Sequence, residues 1–183
     1  MRLRSLLSGI ALLLASTAGQ AQDATDASAF FVKLYATTCM KHYAKPEALK
    51  AEFEAAKTPA LADATAKNFL GGMPGTAWAR SGPGDGKFVV SLRDDGVCAV
   101  FAQQADAINV EQQFTALVSS SPAPLKASPE QDERGMAPTG PIHTLSYAWA
   151  RPGDTSKLLF TLTTAVSPDA PVQAMATLAR VAK

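Results

Sequence analysis

The chain has 183 residues, with 17 Lys and Arg against 16 Asp and Glu, and apolar residues make up 47% of it. That length suits about one domain and is enough to bury a real core. The near-balance of charge excludes the basic footprint that a nucleic-acid binder needs.

The first residues predict an export signal. Met1, Arg2, Leu3 and Arg4 form a short basic start, and residues 6–15 form an apolar run too short to span a bilayer. Gly19, Gln20 and Ala21 set small residues at the −3 and −1 positions, so cleavage is expected before Gln22. The alternative, an uncleaved anchor helix, fits so short a run poorly. No Cys stands near the junction to accept a lipid, so no membrane anchor is expected to remain. The organisation reads as a signal peptide over 1–21 and a single domain over 22–183, located in a bacterial periplasm. Removing 21 residues leaves 162 and takes two bases, Arg2 and Arg4, and no acid, for a mature charge of about −1.

Residues 24–43 read as a helix, because Phe31, Leu34, Tyr35, Thr38, Cys39 and His42 recur at helical spacing on one face. Asp26 or Ser28 could cap its start. Pro46 opens a second helix over 46–57 with the stripe Leu49, Phe53 and Ala56, and residues 60–70 form a third. Gly71, Gly72, Met73, Pro74 and Gly75 then mark a turn. Their spacing matches neither a dinucleotide fingerprint nor a phosphate-binding loop. Residues 76–81 suit an edge strand carrying Trp78, and 82–86 a loop.

Residues 87–102 predict a hairpin. Phe88, Val90 and Leu92 alternate, and Asp94, Asp95 and Gly96 make a three-residue turn with Gly96 in the left-handed position. This loop length sets Leu92 opposite Cys98 and Val90 opposite Val100. Cys98 then lies on the apolar face of the hairpin and Cys39 on the apolar face of the first helix, so packing one on the other brings the sulfurs together. Two cysteines in an exported chain suggest a bridge in any case. The alternative reads Cys39 and His42 as half of a zinc site, but zinc wants four ligands and no second cluster exists. No metal and no cofactor are expected.

A helix over 106–119 is anchored by Ile108, Phe114, Leu117 and Val118. Residues 120–141 read as a long loop rich in Pro, Ser and charge, too long to be a mere connector and so either a contact surface or a disordered segment. Glu130, Asp132, Glu133, Arg134 and Met136 within it are candidate contacts for a protein partner. Residues 142–151 alternate again, with His143, Leu145, Tyr147 and Trp149 on one face. Residues 157–166 follow, with Leu158, Phe160, Leu162 and Val166; in 172–181 Val172, Met175, Leu178 and Ala179 fit a helix while simple alternation fits a further strand, which is preferred because it completes the sheet begun by the preceding hairpin. The fold class is α+β: N-terminal helices packed on a mainly antiparallel sheet of about five to six strands.

The chemistry-bearing residues form no motif. No nucleophile elbow surrounds Ser119, Ser120 or Ser121. His143 reads as a sheet residue with a satisfied ring nitrogen, and Asp94 and Asp95 as turn residues. Phe31 to Cys39, Phe69 to Trp78, Asp94 to Phe101 and Gln173 to Arg180 together resemble a family of short, exported or lipid-anchored proteobacterial proteins with no assigned activity. The resemblance carries no catalytic residues. By analogy of size and compartment alone, such proteins include immunity proteins against effectors of rival bacteria. The expectation is a non-enzymatic binding protein of the periplasm, an immunity protein or inhibitor whose partner is a secreted effector or an envelope protein. The alternatives are a small-ligand carrier or enzyme with a site around His143, Tyr147 and Trp149, and a structural envelope factor.

Overall fold

A computed structural model of the chain describes residues 18–84 and 86–183. The basic start and apolar run of the expected signal lie outside the described residues. Four helices and seven strands follow in the order α1 (Ala18–Tyr35), α2 (Pro46–Ala55), α3 (Asp63–Leu70), β1 (Gly75–Ser81), β2 (Lys87–Arg93), β3 (Cys98–Ala102), α4 (Ala107–Val118), β4 (Lys126–Ala137), β5 (Gly140–Ala150), β6 (Ser156–Ala165) and β7 (Ala174–Ala182). The strands form one antiparallel sheet in the spatial order β1-β2-β3-β7-β6-β5-β4. The expected cleavage point before Gln22 falls within α1.

One face of the sheet builds the core. Along each inner strand alternate residues point the same way, so Val90, Val100, Ala176 and Leu162 stand side by side and all are buried. Over this face lie α1, which meets β3, and α4, which meets β6. The buried stripe of α4 is Ala107, Val110, Phe114 and Val118, at helical spacing. Trp149 closes the far side of the core, with its indole N–H donating to Val118 O at 2.7 Å and its ring 4.5 Å from Phe160. On the reverse face α3 covers only the β1–β2 end, packing Leu70 and Ala66 on Ala77.

Several expectations hold at residue level. Leu92 stands opposite Cys98 and Val90 opposite Val100, and Gly96 has φ +87°, the left-handed conformation its turn requires. Cys39 and Cys98 are bonded, with their Cα atoms 5.5 Å apart. The last segment is a strand, because it fills the gap between β3 and β6.

Other expectations are corrected. The sheet has seven strands, not five to six, because residues 126–137 are the edge strand β4 and not part of a long loop. An edge strand needs one ladder of hydrogen bonds and no buried face, so its sequence shows no apolar alternation. The first helix begins before its expected caps. Ser28 is buried inside α1, where its hydroxyl accepts from Asp106 N–H at 2.9 Å and ties α1 to the start of α4. Past Tyr35 the helix widens into a π turn over Ala36–Met40. There the hydroxyls of Thr37 and Thr38 bond back to Lys33 O and Leu34 O. Ile108 and Val166 were expected inside but stand 66% and 73% exposed.

The bridge spans 59 positions of sequence and so restrains a long loop in the unfolded chain. By the chain-entropy argument it contributes about 4 kcal/mol. Chemical denaturation of the mature protein with and without reductant should show a loss of that order. An unchanged midpoint after verified reduction would contradict it.

Candidate functional site

One end of the sheet gathers polar and apolar groups that the core does not use. His143 on β5 lies on the helix side of the sheet and is 8% exposed. Its Nε2 stands 2.8 Å from Asp132 Oδ1 on β4, and its Nδ1 stands 3.0 Å from Glu111 Oε2 on α4. The second contact is within salt-bridge distance. Glu111 also accepts a hydrogen bond from the buried hydroxyl of Thr164 on β6. The imidazole therefore links the outermost strand to the helical layer.

This position follows from the register. His143 faces Arg134 on one side and Thr164 on the other. Asp132 is one step along the same side of β4, and Glu111 is on the turn of α4 that passes over β6. The hydrogen bond to Asp132, with help from Glu111, raises the imidazole pKa above its ordinary value, against burial and the charge of Arg134. Both ring nitrogens face carboxylates, so neither is left to take a proton from a bound substrate. The cluster acts as a clamp.

Beside the clamp is an apolar rim. Met136 is 75% exposed and stands opposite Pro141. Continuing the β5–β6 register one position beyond Ile142 and Ala165 sets Pro141 opposite Val166. Val166 and Ile108 line one groove of about 670 Å³ between the start of α4 and the end of β6. Three of the five exposed large apolar side chains among the described residues thus lie toward one end of the sheet, Ile108 and Val166 in one groove and Met136 two strands from Val166. Contiguous apolar surface rimmed by charge marks interaction sites far more often than scattered apolar residues do.

The structure gathers some of the contact residues expected from sequence and separates others. Asp132, Arg134 and Met136 lie together on the helix side of β4, and no carboxylate stands within salt-bridge distance of Arg134 among the described residues. Glu133 points to the reverse side, where Gln131 donates to it. Glu130 is drawn to Lys157, 2.6 Å away. Ile108, Glu111, Pro141 and Val166 were not read as contact residues. The available signal was apolar side chains at both ends of elements, where cover runs out. The trio His143, Tyr147 and Trp149 shares a face of β5, but Trp149 is committed to the core. Among the described residues no three of His, Cys, Asp and Glu converge as a metal would need, and no helix is long and apolar enough to cross a membrane.

In comparison with known proteins, no family model, no curated protein and no solved structure matches the chain. The functional reading therefore rests on this geometry.

The clamp gives stability a defined pH dependence. A raised folded pKa means that the protonated imidazole stabilises the fold fully below about pH 6.5, and that this contribution is lost as pH rises through the folded value. Asp132 is 76% exposed, so the loss should be on the order of 1 kcal/mol or less. Denaturation curves from pH 5.5 to 9 should show this fall, and His143→Gln should flatten it. An identical slope in the variant would contradict the assignment.

Proposed function

We propose that this protein is a non-enzymatic binding protein of the bacterial periplasm, which neutralises a secreted effector or engages an envelope protein through the exposed end of its sheet. The observation that carries the reading is the exposure of Met136, Ile108 and Val166 at the end of the sheet that holds the clamp and Arg134, which has no carboxylate within salt-bridge distance among the described residues. An apolar centre with a polar rim is the anatomy of a protein contact. The bridge and the absence, among the described residues, of a membrane-crossing helix fit an exported chain. The signal over 1–21 and the periplasmic location belong to the same proposal.

A second reading, a small-ligand carrier, has one observation in its favour. On the reverse face a groove of about 700 Å³ beside α3 is lined by Phe69, Val89, Phe101 and Val172, within the size range of ligand pockets. Uptake of an apolar fluorophore that Phe101→Asp abolishes would favour that reading.

The main reading is tested by affinity capture, with the mature chain as bait and secreted proteins of rival bacteria as prey. Met136→Asp and Val166→Asp should each leave stability within about 0.5 kcal/mol, since both side chains are exposed. Each should weaken partner binding about tenfold or more if it sits at the centre of the contact. Recovery of the same partner with undiminished affinity by both variants would sink the proposal.

A further inference from the structure

The alternation along β4 indicates how a partner engages, given the reading of this end of the sheet as a protein contact. We infer that an extended segment of the partner adds to β4 as an eighth, antiparallel strand over residues 131–137.

Among the described residues, the sheet has an uncovered edge at the β4 end. β4 is the last strand in the spatial order, whereas the outer edge of β1 at the opposite end is covered by Ala60, which bridges Trp78, and by the N–H of Leu61, which donates to Ala77 O at 2.8 Å. Within β4 the first half is blunted by Pro129 and by a bulge between Pro129 and Gln131. From Gln131 to Ala137 the register runs without interruption.

Pro141 decides which backbone groups of that half are free. It stands opposite Met136 and has no N–H, so this is a non-hydrogen-bonded pair. Antiparallel pairs alternate. Glu133 and Gly135 therefore bond inward to β5, and the N–H and C=O of Asp132, Arg134 and Met136 point outward. The residues that offer the outward backbone are also the ones that carry the contact side chains on the helix side. A strand docked here obtains main-chain bonds and reaches the apolar rim at Met136 in one binding mode, with backbone giving affinity and alternate side chains giving specificity.

The side chains state the chemistry of the occupant. Cross-strand pairs of opposite charge or of apolar groups are favourable. The incoming strand should set an apolar residue against Met136, an acid against Arg134, and bases against Glu133 and Asp132. A second copy of this chain fits less well. Paired about Glu133 it would match Asp132 with Arg134 twice, but would set Glu133 against its own copy and Glu130 near Met136.

The probe is the synthetic peptide Val-Ile-Thr-Glu-Lys-Lys-Thr, acetylated and amidated, whose order matches residues 137 to 131 read antiparallel. Titrated into isotope-labelled mature protein, it should give saturable amide shifts concentrated at Asp132, Arg134 and Met136. Arg134→Pro removes one outward N–H and no β4–β5 bond, and should abolish these shifts. Arg134→Glu keeps the backbone donors and should weaken the peptide about tenfold, while a peptide with Lys in place of its Glu should recover binding to that variant. No saturable shift up to millimolar peptide, shifts centred elsewhere, or undiminished binding to Arg134→Pro in its folded form would overturn the inference. So would concentration-dependent shifts at the same three amides without peptide, which would assign the edge to a second copy. Partner capture that is lost in Met136→Asp but persists in Arg134→Pro would leave the contact surface standing and refute strand addition alone.

Discussion

The helical layer is narrower than the sheet it covers, and much of the architecture follows from that mismatch. Seven strands present a continuous face, and three helices lie across it, α2 with Phe53 on Trp78 of β1, α1 over β3 and α4 over β6. The bridge between Cys39 and Cys98 and the hydroxyl contact of Ser28 with Asp106 fix α1 and α4 over the centre. Beyond β5 the cover ends. β4 lends only Ala127 to the fringe of the core and is otherwise held by its ladder with β5 and by two ion pairs, Glu130 with Lys157 and Asp132 with His143.

A strand placed this way is solvated on both faces, and its composition reflects that. The run from Glu130 to Arg134 is almost wholly polar, as an exposed edge demands if it is to avoid indiscriminate pairing. The clamp at His143 offsets the missing hydrophobic cover with charge, tying the edge through the imidazole to Glu111 and so to α4. The same loss of cover leaves Ile108 and Val166 outside, each at the end of an element that otherwise contributes a buried stripe to the core. Edge, clamp and rim are consequences of one geometric shortfall.

The central half of the molecule was legible in the amino-acid order because its signals are local. The turn at Gly96 and the alternation from Phe88 to Val100 specify the hairpin register, and the register specifies where Cys98 points. β4 was illegible because solvated strands carry no period-two signal and because Pro129 and the bulge interrupt it. The clamp was illegible for a different reason. Glu111, Asp132, His143 and Thr164 come from four elements, and their meeting depends on the β4–β5 register, which exists only once residues 126–137 are recognised as a strand. Met136 is legible as a candidate contact, but Val166 continues the alternation of β6 and Ile108 is an apolar residue in the first turn of α4, one position off its buried stripe, so neither signals that the cover stops short.

The account stands or falls on β4 being an ordered strand with one bonded and one open side. Residue-resolved hydrogen exchange on the mature protein reads this directly. Glu133 and Gly135 should exchange slowly, and Asp132, Arg134 and Met136 rapidly, in strict alternation. Uniformly fast exchange from 126 to 137 would restore the loop, and uniformly slow exchange would mean that the edge is already occupied.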